Sequence, residues 1–285
     1  LGSAKKLCPY FYSHADGFSK YVHTDVDHNL SDPSQLVPLF QQLFSPQSVC
    51  DVGCGVGNFL YVFKQGGVPR VLGLDGDWVN PQLLHKYLSE SEFRTVDFET
   101  KITPPETAFD LCLCLEVAEH VSEERANDFV DLLTQIADRI IFSTTLPFQG
   151  GINHVNEQKE EYWERKFASR GFKKYDIIRH QIFNNKKISG PYRRNIVVYS
   201  KNDLSRFPAV SYGAFAIQKN CMQRLYIDLM TGSLPFAALS KFLIKILAMK
   251  MGGKKLIETV KKIVQERGDI GIFKFTFLIF VLMRN

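Results

Sequence analysis

The stretch from Ser48 to Asn58, S-V-C-D-V-G-C-G-V-G-N, constrains this chain more than any other. A short apolar run ends at Asp51, and glycines follow at positions 53, 55 and 57. The helix-compatible segment Phe59-Leu60-Tyr61-Val62-Phe63 begins at once. The pattern reads as strand, tight turn, helix. Glycine accepts positive φ and lets a ligand lie against bare backbone, and a new helix offers unpaired N–H groups. A dinucleotide-binding turn would read G-x-G-x-x-G, but Asn58 stands at its last glycine position. Asp51, two residues before the first glycine, suits a cationic ligand better than a pyrophosphate.

Around this turn the chain alternates strand and helix. Ser31-Asp32-Pro33 reads as an N-cap followed by proline in the first helical turn. Leu36, Val37, Phe40, Leu43 and Phe44 then form one buried stripe, and Pro46 ends the helix. Strands are expected at Val71–Asp75, Arg94–Phe98, Phe109–Leu115 and Arg139–Thr145, with two more within Phe172–Phe183 and Asn195–Ser200. The fourth run is continuously apolar, as in a parallel strand buried on both faces. Ser122 can cap a helix carrying Phe129, Val130, Leu132, Leu133 and Ile136, and a later helix carries Tyr162, Trp163 and Phe167. The expectation is an α/β fold, a Rossmann-like seven-stranded and mostly parallel sheet with helices on both faces.

That order gives several acids a place. Asp75 closes the second strand beside the glycine turn, where a carboxylate accepts ribose hydroxyls. Trp78 stands where an aromatic ring could stack on adenine or simply pack on the sheet, and Asp97, with Phe98, where it could accept an adenine amino group or be a solvated loop acid. Six cysteines (Cys8, Cys50, Cys54, Cys112, Cys114, Cys221) form no C-x-x-C pair and read as small buried residues in a reducing compartment. No secretory signal is visible, so a cytoplasmic location is expected.

The pattern D-x-G-x-G-x-G from Asp51 to Gly57 resembles the first motif of class I S-adenosylmethionine-dependent methyltransferases. The resemblance extends over residues 25–200. It is to a bacterial-type subgroup with L-E-V-A-E-H after strand four (Leu115 to His120), F-S-x-x-x-P-x-Q-G-G after strand five (Phe142 to Gly151), H-x-N-E-Q (His154 to Gln158) and Y-W (Tyr162-Trp163). It implies a cofactor site of Asp51, Gly53, Gly55, Gly57, Asp75, Trp78, Asp97 and Glu116, with S-adenosylmethionine as cofactor. Glu116 would lie near the sulfonium and the acceptor. The methyl group is already activated, so in-line positioning supplies much of the rate, and an alcohol acceptor needs a base besides. His154 and His120 are the candidates for that base. Glu116, Glu119 and His120 resemble the E-x-x-E-H run that helps bind a divalent cation in ubiquinone-pathway and small-RNA methyltransferases. A divalent metal held by these three, with His154 as a further candidate, is an option but not the favoured expectation; the alternative is that Glu119 and His120 cap the following helix and pack under the sheet edge.

The expected reaction is O-methylation of a small-molecule, sugar or glycolipid acceptor. N-methylation, or a cofactor-binding scaffold without activity, are the alternatives. Charge argues against a nucleic-acid partner: residues 1–200 carry 21 Lys and Arg against 25 Asp and Glu. Residues 201–285 carry 14 against 5, and residues 241–265 read as two basic amphipathic segments. With the apolar run 272–283 they suggest peripheral contact with the inner face of a membrane through residues 241–283, or a helical extension packed on the domain or on a partner chain. The expected organisation is an aromatic lid or strap over residues 1–30, the methyltransferase domain over 31–202, and the basic extension over 203–285.

Overall fold

The computed structural model describes residues 29–147, 149 and 151–208. The expected lid and nearly all of the basic extension, membrane-contact segments included, lie outside the described residues.

Helix α1 (Ser31–Phe44) precedes strand β1 (Ser48–Val52), helix α2 (Asn58–Gln65) and strand β2 (Arg70–Asp75). The single turn α3 (Pro81–Leu84) leads to the short strand β3 (Phe93–Thr95). Strand β4 (Leu111–Leu115), helix α4 (Ala126–Ile136) and strand β5 (Arg139–Ser143) follow. Helix α5 (Glu160–Ala168), strand β6 (Lys173–Tyr175), turns α6 (Arg179–Ile182) and α7 (Gly190–Asn195), and strand β7 (Val197–Ser200) complete the described chain.

The seven strands form one sheet in the order β3-β2-β1-β4-β5-β7-β6. Pairings from β3 across to β5 are parallel, and β7 runs antiparallel to both neighbours. The expected mostly parallel seven-stranded sheet is therefore present. Side-chain alternation along β4 divides the core. Leu111, Leu113 and Leu115 pack with Leu36, Phe40, Leu60 and Phe63 of α1 and α2 on one face. Cys112 and Cys114 pack with Phe129 and Leu133 of α4 and Trp163 and Phe167 of α5 on the other. The four described cysteines are buried free thiols, as the sequence suggested.

Helix α1 contains Pro38, which costs a helix interior about 3 kcal/mol. Leu36, Val37 and Phe40 are fully buried in the same helix, and each contributes about 1.5–3 kcal/mol. Tertiary burial outweighs the backbone penalty.

Four boundaries differ from expectation. Ser31 is not the capping side chain; the Asn29 Oδ1 accepts the Ser31 N–H at 2.7 Å. Ser122 does not cap α4, because its N–H and Oγ both donate to the Glu99 carboxylate, at 2.7 and 2.6 Å. The sixth strand stops at Tyr175, where the chain turns so that Asp176 can meet Arg179. Strand β3 stops at Thr95, which leaves Asp97 in a loop.

Candidate functional site

Strand order reverses between β1 and β4, the point where open α/β sheets leave a crevice beyond the strand ends. The glycine turn lies on one side of it and Glu116 on the other.

The turn is tied to the end of β2. Gly53 and Cys54 donate their N–H groups to the Leu74 carbonyl, and Gly55 donates to Asp75 Oδ2 at 2.7 Å. Asp75 Oδ1 accepts from Gly76 at 2.6 Å. Gly53 and Gly57 have φ of +78° and +83°, and a Cβ on either would fall inside the side chain of Val117 or Leu88. Both positions thus require glycine twice over, by conformation and by space.

Asp51 and Asp75 are almost fully buried at the ends of neighbouring strands. Burial raises both carboxyls, and the nearby Asp75 charge helps push Asp51 up to about 7. Such a pair is short of positive charge. Trp78 is a third member of the group: its side chain hydrogen-bonds to Asp75 and its ring covers Gly76. Asp97 stands apart, exposed, with its carboxylate accepting the Glu99 N–H within its own turn at 3.0 Å. Phe98 turns inward against Phe129.

Beyond β4, Glu116 sits in left-handed conformation at φ 58°, a strained state for a residue with a side chain. Its N–H donates to the Ser143 carbonyl and lies 3.1 Å from Ser143 Oγ. Asn195 Nδ2 donates to Glu116 Oε1 at 3.3 Å. Thr145 Oγ1 lies 3.2 Å from Glu116 Oε2 and 2.8 Å from Glu119 Oε1. With one proton to give, that hydroxyl donates to the nearer Glu119. Burial and the Glu119 charge push Glu116 up to about 8. Glu119 also accepts from Thr144 Oγ1 and the Thr145 N–H.

The two histidines meet here. The rings of His120 and His154 stand edge to face with centroids 4.9 Å apart. His120 Nδ1 lies 3.2 Å from the Asn153 carbonyl and His154 Nδ1 lies 3.3 Å from Glu157 Oε1. Both contacts place a proton on Nδ1. Burial and the neighbouring His154 hold His120 below its ordinary range. One ligand atom each from Glu119, His120 and His154 fall within 4.8 Å of one another. The structure brings His154 beside Glu119 and His120, while the Glu116 carboxyl lies against Thr145 and Asn195.

Sequence reasoning missed Thr144, Thr145, Gln149 and Asn195. Thr144, Thr145 and Gln149 lie within or beside the motif after β5. Asn195 gave no signal, since only the fold brings it to β4. A second hidden support lies behind it. The buried Arg179 forks onto Asp176, reaches Glu160 at 2.9 Å, and donates to the Arg194 carbonyl next to Asn195.

The family described as a methyltransferase domain matches residues 23–177. No curated protein matches the sequence. Among solved structures, an O-methyltransferase family protein from Burkholderia thailandensis is 11% identical with a TM-score of 0.48; the match covers 64% of this chain and only 59% of that one. A sugar N-methyltransferase from Streptoalloteichus is 10% identical with a TM-score of 0.49, covering 68% of this chain and 100% of that one. The magnesium protoporphyrin IX methyltransferase of Synechocystis, with bound S-adenosylmethionine, is 20% identical with a TM-score of 0.43, covering 66% and 87%. These likenesses span different acceptors and assign none. The family match covers more than half of the sequence, and the chain belongs to the methyltransferase-domain family.

Proposed function

We propose that this methyltransferase uses S-adenosylmethionine and methylates a hydroxyl of a small-molecule, sugar or glycolipid acceptor. The observation that carries the cofactor reading is the buried acid pair Asp51 and Asp75, bracketing a turn where side chains do not fit at Gly53 and Gly57. Bare backbone admits the ligand, and two carboxyls raised by burial are relieved by a cation. S-adenosylmethionine carries both an ammonium and a sulfonium, and when bound it supplies an activated methyl group. In this reading Asp51, Gly53, Gly55 and Gly57 receive the methionine end, Asp75 the ribose, and Trp78 and Asp97 the adenine. Glu116 borders the transferring methyl.

The preference for a hydroxyl rests on His154. The Glu157 carboxylate fixes its tautomer and leaves Nε2 able to take a proton, and a base near neutral pH is what an alcohol needs and an amine needs less. His120 lies against it as a second proton carrier. Calorimetric titration with S-adenosylmethionine and with NAD tests the cofactor: binding of the first alone is expected, and binding of NAD alone would contradict the reading.

A second reading has its own observation. Glu119, His120 and His154 converge closely enough to hold a divalent cation, which would lower the pKa of an acceptor hydroxyl. Both imidazoles have Nδ1 engaged by an oxygen, the arrangement that presents Nε2 to a metal. Metal content after dialysis against Mg²⁺, Mn²⁺ or Zn²⁺, in the parent and in His120→Ala, separates this reading from metal-free base assistance.

A further inference from the structure

Glu116 is held through a relay of amides whose direction can be deduced. Gln149 and Asn195 form two reciprocal hydrogen bonds, Nε2 to Oδ1 and Nδ2 to Oε1, each 2.9 Å. Turning both amides over would preserve that pairing, so the pair alone does not set its orientation. The Leu146 N–H sets it. This donor points at Gln149 Oε1 at 3.0 Å, and a backbone N–H requires an oxygen there. Gln149 therefore turns its NH₂ to Asn195, and Asn195 must turn its own NH₂ to Gln149 and to Glu116 Oε1. Asn195 is 5% exposed, so water offers it little alternative.

We infer that Gln149 and Asn195 are positioning residues for methyl transfer, a directional relay from the loop after β5 through the end of α7 that fixes the Glu116 carboxyl at the mouth of the crevice. This rests on the cofactor reading above. Three separate elements meet at one carboxyl, and its backbone is strained to bring it there. Asn195 occupies one lone pair of Oε1, leaving the other for a polar hydrogen of the reacting groups. The Thr145 hydroxyl lies against Oε2 at 3.2 Å. A carboxyl needed only for packing would require no oriented amide donor on Oε1.

The relay is tested without knowing the acceptor. S-adenosylhomocysteine lacks the transferring methyl, whereas sinefungin carries an amine in its place, so their affinity ratio reports on the groups facing that position. Both affinities are measured by calorimetry for the full chain, for Asn195→Ala and Gln149→Ala, and for each of these combined with Glu116→Ala. Thermal melts select the variants that fold, and the Gln149 variants, changed in a loop, carry the test should Asn195→Ala fail to fold. The expected result is a loss of about tenfold or more in the preference for sinefungin over S-adenosylhomocysteine in either single variant, with S-adenosylhomocysteine affinity changed less than about threefold. In the Glu116→Ala background the same changes should alter the ratio less than about twofold, because the residues act through Glu116. An unchanged ratio in the single variants, or an effect that persists without Glu116, would overturn the inference. Absence of S-adenosylhomocysteine binding in the parent would overturn the cofactor reading and this inference together, and is told apart by that measurement alone.

Discussion

The Gly55 N–H donates to Asp75 Oδ2 at 2.7 Å, joining the turn after β1 to the last residue of β2. The acid proposed to receive the ribose therefore also shapes the loop proposed to receive the methionine end. Asp75→Ala should weaken S-adenosylhomocysteine binding by about 100-fold or more, which corresponds to about 2.7 kcal/mol. Asp75→Asn keeps one acceptor oxygen and should lose less. Calorimetry on both variants checks this, and equal affinity in Asp75→Ala and the parent would remove Asp75 from the site.

Gly53→Ala meets two separable penalties. Its φ of +78° disfavours any side chain by about 1–2 kcal/mol, and its Cβ would lie 2.2 Å from Val117 Cγ2. The variant should lose about 2–4 kcal/mol in urea unfolding. Val117→Ala in the same chain should recover the steric part alone, leaving about 1–2 kcal/mol. Full recovery would mean that the backbone conformation is not strained.

Asp51 gives the ligand-free protein an inverted pH response. Its folded carboxyl is raised to about 7 from an ordinary 3.8. Between those values the folded state keeps the proton and the unfolded chain releases it. Stability is then greatest at low pH and falls as pH rises from about 4 to about 7. Glu116, raised to about 8, acts in the same direction. The Asp51 part amounts to at most about 4 kcal/mol. Urea midpoints at pH 5 and pH 8 should show the fall, and Asp51→Asn should flatten it. Binding of the cationic cofactor should drive protons off the acid pair, seen as a binding heat that depends on buffer ionisation.

Arg179 is 2% exposed and forks between Asp176 and Glu160. Arg179→Met leaves two buried carboxylates without their guanidinium and should cost about 3–5 kcal/mol. Its link to the Arg194 carbonyl predicts that Glu116 loses support as well. The sinefungin preference should fall in this variant under conditions where it remains folded.

The sheet and the turn were legible because both are local patterns. Alternation and continuous apolar runs mark β1, β2, β4 and β5, and three spaced glycines after an acid mark the crossing point. The motif acids Asp51, Asp75 and Glu116 could be placed because strand order fixes which strand ends adjoin. The supports of Glu116 were not legible: Gln149 and Asn195 are 46 positions apart and join only once β7 runs back beside β5. Ser122 looked like a helix cap, yet Glu99, 23 residues earlier, takes both of its donors. Such long-range partners leave no periodic trace. The same holds for Asp176 and Arg179, whose pairing ends β6 early.

The most direct test is transfer of a labelled methyl group from S-adenosylmethionine into size- and polarity-fractionated cell extract, with the parent protein and Asp75→Ala in parallel. The account predicts label in a small-metabolite, glycan or glycolipid fraction with the parent, stable to alkali as an ether is, and little or none with Asp75→Ala. Equal label with both proteins would contradict the placement of the cofactor. Label confined to protein or nucleic acid would contradict the acceptor class, and no label in any fraction would contradict the proposed methyl transfer.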